Sequence, residues 1–165
     1  MREPALNARR LAYSGAMQTS GAAIDGRSTT LTAADGRLLA ACWFEPDDPP
    51  HAVAVVSAAG GVPQGCYRAF AQWLAARGYA VLTYDYRGIG SSCQGPVRQD
   101  PARMTDWAVR DMSAALAAAA DRADQGGRAD RGERGDRLPL LLVGHSFSAA
   151  TARPLRTVCS APTPC

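Results

Sequence analysis

The sequence predicts an α/β domain: a β-hairpin leading into alternating strands and helices, with a mostly parallel sheet and helices on both faces. Three observations predict it. An Asp-Gly pair, Asp35-Gly36, stands between two strand-forming runs. Three short apolar runs, "AVAVVS", "YAVLTY" and "LPLLLV", have the uninterrupted character of strands buried on both faces. Segments with apolar residues at helical spacing separate them.

Taken in order, Thr29–Ala34 and Arg37–Phe44 are the hairpin strands, joined by Asp35-Gly36 because both residues tolerate positive φ. "FEPDDPP" is a loop, since its prolines cannot continue a ladder. Ala52–Ser57 is a buried strand, followed by the Gly-containing loop "AAGGVPQG". Tyr67–Arg77 is a helix, with Tyr67, Phe70, Ala71, Leu74 and Ala75 on one face and Gly78 as its stop. Tyr79–Tyr84 is the next strand. Met104–Arg122 is a second helix with Thr105 as N-cap and Asp106 in the first turn. The stretch 123–137, "ADQGGRADRGERGDR", balances Arg against Asp and Glu and holds no large apolar residue; it is expected to be a mobile surface insertion. Leu138–Val143 is the last strand. Ligands of such sheets bind at the carboxyl ends of the parallel strands.

Composition narrows the function. The chain has 165 residues, enough for one domain with a real core, and its 47% hydrophobic and 20% charged content is that of a soluble globular protein. A net charge of +3, spread along the chain, makes no case for a nucleic-acid partner. All 18 basic residues are Arg, so a phosphate-binding loop with its Lys is excluded. Gly88-Ile89-Gly90 lacks the third glycine of a dinucleotide site, where Cys93 stands. The cysteines, Cys42, Cys66, Cys93, Cys159 and Cys165, form no CxxC pair, and the two histidines lie far apart. Neither a disulfide framework, a metal site nor a cofactor is indicated. Residues 1–27 read as a disordered extension without the apolar run of a secretory signal, and no stretch has the length of a membrane span. A cytoplasmic location is the expectation.

The chemistry concentrates at Gly144-His145-Ser146-Phe147-Ser148, directly after the last strand. Small residues around a serine let the backbone bend sharply and push the hydroxyl clear of the sheet. The helix that follows presents N–H groups to a developing oxyanion. The second glycine of the GxSxG pattern is Ser148, which predicts a less relaxed turn. Around this elbow, "DGRLLAACWF", "YRAFAQWLAARGYAVLTYDYRGIGSS", "TDWAVRDMSAAL" and "LLLVGHSF" follow one another. From about Asp35 to Phe147 the chain resembles the N-terminal half of the α/β-hydrolase fold. It is most similar to bacterial hydrolases related to serine aminopeptidases and monoacylglycerol lipases.

The resemblance implies a serine hydrolase acting on a small-molecule ester, thioester or amide through an acyl-enzyme. Ser146 matches the nucleophile. The N–H of Phe147 matches one oxyanion donor and Gly60 the other, although Ala58-Ala59-Gly60-Gly61 departs from the common His-Gly-x-Gly form. Asp85, Arg87, Gly88 and Gly90 match a structural loop in which glycines make the turn and an Asp–Arg pair pins it.

In this fold the triad acid and histidine follow the serine in the chain. Here the residues after Ser146 contain no His, Asp or Glu. His145, adjacent on a tight bend, diverges from the serine. His51 precedes a strand that puts it roughly 20 Å away. "SAATARPLRTVCSAPTPC" carries Pro154 and an abrupt Ala/Arg/Pro/Ser/Thr composition, so 149–165 is expected to be an irregular tail outside the family pattern, as in a truncated or frameshifted hydrolase. The partial domain then covers 28–148, and its last strand has a bare apolar edge that invites self-association. Two other functions fit the same residues: a non-catalytic fragment, pseudoenzyme or interaction module, and an acyltransferase on the same scaffold.

Overall fold

A computed structural model describes residues 24–131 and 137–151 of the chain. Five strands form one sheet: β1 Arg27–Thr32, β2 Leu38–Phe44, β3 Ala52–Ser57, β4 Tyr79–Tyr84 and β5 Leu140–Gly144, in spatial order β1-β2-β4-β3-β5. The sheet is mixed. β3 pairs parallel with β4 and β5, while the β1–β2 hairpin joins antiparallel through β2 and β4.

Period-two alternation sends each strand's side chains to two cores. Val53, Val55, Leu82 and Tyr84 face one side with Leu39 and Trp43, where helix α3 Met112–Arg131 contributes Ala115, Ala119 and Ala123. Ala54, Val56, Val81 and Phe44 face the other, covered by Ala71 and Ala75 of helix α1 Arg68–Ala75. Val53, Val55 and Leu82 are completely buried, each stabilising the fold by about 1.5–3 kcal/mol relative to exposure. The alanines of α3 permit close approach to the sheet.

Several local readings are corrected. The hairpin connection is a three-residue one, Ala34-Asp35-Gly36, closed by Ala33 N–H to the Arg37 carbonyl at 2.9 Å. Among the described residues only Gly36 of that turn has positive φ, 80°. This is a turn followed by a left-handed residue, in place of the two-residue hairpin. The first helix starts with a 3₁₀ turn, Gln64–Tyr67, before α1. The second begins one residue before Thr105, at α2 Met104–Asp106, and the Asp106 carboxylate accepts the Arg103 N–H at 2.8 Å. A π-helical turn, Trp107–Asp111, joins α2 to α3.

Helix α3 then runs on to Arg131, through residues expected to form a surface insertion. Ala123 is fully buried, and its carbonyl accepts the Leu138 N–H at 3.2 Å. Leu138 packs where a side chain at Gly126 would stand, and strand β5 starts at Leu140 rather than Leu138. A glycine-rich helical end can bury a neighbour's leucine without a large residue of its own. Residues 132–136 lie outside the described residues, as do 1–23 and 152–165, where most of the expected N-terminal extension and irregular tail fall. Residues 24–27 are ordered into the domain: Ile24 packs on the α1 face and its carbonyl accepts Gln72 Nε2 at 3.0 Å.

Among the described residues β5 pairs with β3 alone, and Leu140 and Leu141 are 37% and 40% exposed. No described helix is long and apolar enough to cross a membrane.

Candidate active site

Parallel pairing of β5 with β3 ends at Ser57 opposite Gly144, and the His145 N–H extends it by one bond to the Ser57 carbonyl at 3.2 Å. There the chain reverses. Ser146 has φ 57°, and among the described residues it is the one non-glycine in the left-handed region. Such a conformation costs roughly 1–2 kcal/mol and persists only where the surroundings enforce it. Two bonds do so: the N–H groups of Ala149 and Ala150 donate to the Ser146 carbonyl at 3.1 and 3.2 Å, opening helix α4 Phe147–Thr151. The helix doubles back so tightly that a Cβ on Gly144 would sit 2.7 Å from the Ala149 nitrogen. Ser146 itself is exposed.

Opposite the elbow lies the loop after β3. A Cβ placed on Gly60 would stand 3.7 Å from the Phe147 Cβ and 3.6 Å from the Trp107 ring. The structure therefore brings Gly60 beside Phe147. Ser148, in the place of the second glycine, is completely buried, and its hydroxyl donates to the Ala58 carbonyl while accepting from Tyr86 at 2.9 Å. The extra side chain ties the turn to the β3 loop. A second tie runs through Tyr67, whose hydroxyl accepts the Ala59 N–H at 2.9 Å and meets His145 Nδ1 at 2.8 Å. Aromatic rings wall one side: Trp107 stacks on Tyr86 at 5.3 Å and meets Phe147 edge-on at 5.9 Å.

Neither histidine is directed at Ser146 by its contacts. His145 is engaged with Tyr67. His51 is at the amino end of the sheet, edge-on to Tyr79 at 4.6 Å and against Gly78. The carboxylates near the carboxyl end are also engaged. Asp85 is buried and accepts the Gln64 N–H at 2.6 Å, Gln64 Nε2 at 3.2 Å and the Ser91 N–H at 2.9 Å. Gly90 (φ 50°) lies so close to this carboxylate that a Cβ there would be 2.5 Å from it, and Gly88 has φ 74°.

The expected Asp85–Arg87 pair is not formed. Arg87 instead binds Asp111 through Nε at 2.8 Å and Nη2 at 2.6 Å, and Asp35 through Nη1 at 2.6 Å and Nη2 at 3.1 Å. Burial alone would lower the guanidinium's pKa, but the bonds to Asp35 and Asp111 outweigh it and raise it. Burial pushes the Asp111 carboxyl up, against the opposing pull of Arg87. The Arg87 bond first, then Arg110, holds Asp35 well below the usual carboxylate range. Asp35, Asp111, Tyr67, Tyr86 and Trp107 all escaped the sequence reading as site neighbours. A buried Arg demands counter-charges, yet nothing local to Arg87 says that they come from a hairpin turn and a π-helical turn. Among the described residues no group of three or more His, Cys, Asp or Glu is placed to hold a metal ion.

A hairpin, a parallel β-α-β unit and a serine elbow at the carboxyl end of a parallel strand are features of the α/β-hydrolase fold, and known structures agree. An esterase of Pyrococcus furiosus aligns over 82% of this chain and 48% of its own, with TM-score 0.59 and 18% identity. A cold-adapted esterase from an Arctic intertidal metagenomic library aligns over 84% of this chain and 58% of its own, at 0.54 and 20%. A lidless α/β serine hydrolase from Xanthomonas campestris aligns over 78% and 54%, at 0.51 and 21%. The chain thus spans about half the length of these structures. No curated protein sequence matches it. The family model described as serine aminopeptidase, S33 matches residues 48–158, and the chain belongs to that family. The match begins after the hairpin and continues to Val158, so family likeness does not stop at Phe147 as the composition of the tail suggests.

Proposed function

We propose that Ser146 is the nucleophile of a serine hydrolase that cleaves an ester, thioester or amide through an acyl-enzyme. The carrying observation is the left-handed backbone of Ser146 at the end of β5, a strain that has no architectural use a glycine would not serve better. Attack by Oγ on a carbonyl carbon puts negative charge on the carbonyl oxygen. The N–H of Phe147, at the start of α4, and that of Gly60, a residue packed beside Phe147, are the donors assigned to that oxygen. Trp107 and Phe147 offer an apolar wall to the rest of the substrate.

Among the described residues neither histidine is directed at the serine proton. His145 is engaged by Tyr67, and His51 is at the opposite end of the sheet. The 165-residue chain by itself is therefore expected not to turn over substrate. That same observation supports the second reading, a non-catalytic product of a hydrolase scaffold.

Reaction with a fluorophosphonate, followed by intact-mass spectrometry with and without added imidazole as an external base, tests both parts. Donor groups and binding alone sustain about 10³- to 10⁴-fold acceleration in hydrolases deprived of their base. A single slow adduct is expected that imidazole accelerates and Ser146→Ala abolishes. No adduct under either condition establishes the non-catalytic reading. A fast adduct indifferent to imidazole shows that a base is already in place.

A further inference from the structure

We infer that Ser148 and the Tyr67–His145 pair form a clamp that fixes the loop after β3 against the elbow, and that its task is to position the Gly60 and Phe147 N–H groups relative to Ser146. The inference rests on the roles proposed above for those three residues. Two segments far apart in sequence must meet to make the site: the loop Ala58–Gly60 and the elbow His145–Ser148. Main-chain pairing between β3 and β5 ends at Ser57, one residue before that loop begins, so the sheet ladder does not hold it.

Side chains take over there. Ser148, next to Phe147, binds the Ala58 carbonyl, two residues before Gly60. Tyr67 holds the Ala59 N–H, one residue before Gly60, and is hydrogen-bonded to Nδ1 of His145, the residue before Ser146. The two ties grip the loop and the elbow on either side of Ser146-Phe147. Tyr86, stacked on Trp107, holds the Ser148 hydroxyl in place. A glycine at 148 has no hydroxyl and could not make the first tie. All three are positioning residues: Ser148 and Tyr67 bond the backbone of the loop, His145 holds Tyr67, and they act on the reaction through Gly60 and Phe147.

The test separates reagent binding (KI) from the covalent step (kinact) for fluorophosphonate labelling of Ser146, at fixed imidazole. Losing an oxyanion donor costs about 10²- to 10³-fold, and misplacing one is expected to cost about tenfold. Ser148→Ala and Tyr67→Phe should each lower kinact by about that factor with KI little changed. Ser148→Gly, which only shortens the side chain of the motif, should lose as much as Ser148→Ala. His145 is exposed, so its variants spare the core. His145→Asn keeps a hydrogen-bonding group close to the Nδ1 position and should retain more of kinact than His145→Leu. Unchanged kinact in Ser148→Ala and Tyr67→Phe, with labelling still dependent on Ser146, overturns the clamp and leaves the nucleophile standing. A fall in labelling that tracks only the unfolded fraction measured by circular dichroism also overturns it. If the parent chain shows no Ser146-dependent labelling, the nucleophile assignment fails and the clamp with it.

Discussion

Two polar clusters fasten loops at the carboxyl end of the parallel strands, and they are built on different terms. One is charged: Arg87 is gripped by the fully buried Asp111 and by Asp35, and Arg110 adds a further bond to Asp35 at 2.8 Å. It joins the hairpin turn, the loop after β4 and the π-helical turn. The other is neutral: the hydroxyls of Ser148, Tyr86 and Tyr67, bound to main-chain groups and to His145, join the elbow to the loop after β3. The difference teaches how polar groups are divided between architecture and chemistry. A buried charge must be matched at once, so it can only be structural here. A neutral hydroxyl can hold a loop without imposing a field on the serine beside it.

The largest expected effect follows from that asymmetry. Arg87→Met leaves Asp111 buried without its counter-charge, and breaking such a pair costs about 3–5 kcal/mol. Ser148→Ala removes one neutral donor and should cost about 1–3 kcal/mol. Urea denaturation of the two variants ranks them. The double variant Arg87→Met, Asp111→Leu should recover much of the loss, since it removes both charges together. Equal costs for Arg87→Met and Ser148→Ala would break the comparison.

How much of this was legible in the sequence depends on the range of the interaction. Ala52–Ser57 and Tyr79–Tyr84 are strands with the expected ends, because an unbroken apolar run bounded by loop residues is a local signal. The elbow could also be read locally, from a serine among small residues after such a run. The loop after β4 was placed but its wiring was not. Asp85 bonds Ser91, six residues on, and Gln64, 21 residues back, and the partners of Arg87 lie 24 and 52 residues away. Composition misled at 123–131, where small residues looked unable to bury anything. Their smallness is what lets Ala123 and Gly126 receive the chain at Leu138. The serine in place of glycine at 148 predicts only a less relaxed turn, since nothing nearby in sequence names Ala58 and Tyr86 as its partners.

A smaller effect sharpens the neutral side of the comparison. Ser146→Gly relieves the positive φ, whereas Ser146→Ala keeps a Cβ in the same conformation. The glycine variant should be more stable than the alanine variant by about 1 kcal/mol in matched denaturation curves. Equal stability would mean that the elbow holds no strain.

The smallest effect tests whether the charged cluster works through charge. Asp35 is partly exposed, so solvent screens it, and its replacement is expected to be mild. Its carboxyl, bonded first by Arg87 and then by Arg110, has a pKa below that of the unfolded chain. Its stabilising contribution is therefore complete above the ordinary carboxylate pKa of about 4 and fades as the pH falls through the folded value. Asp35→Asn should lower Tm at neutral pH, and the gap to the parent should narrow progressively below about pH 4. Asp111, whose carboxyl burial pushes the other way, is raised further by the charge of Asp35, so Asp35→Asn also eases its ionisation. A gap that stays constant into acid would assign the contribution of Asp35 to hydrogen-bond shape rather than to ionisation. Arg87 would then be held by Asp111 alone as a charge, with the hairpin turn serving only as a neutral acceptor.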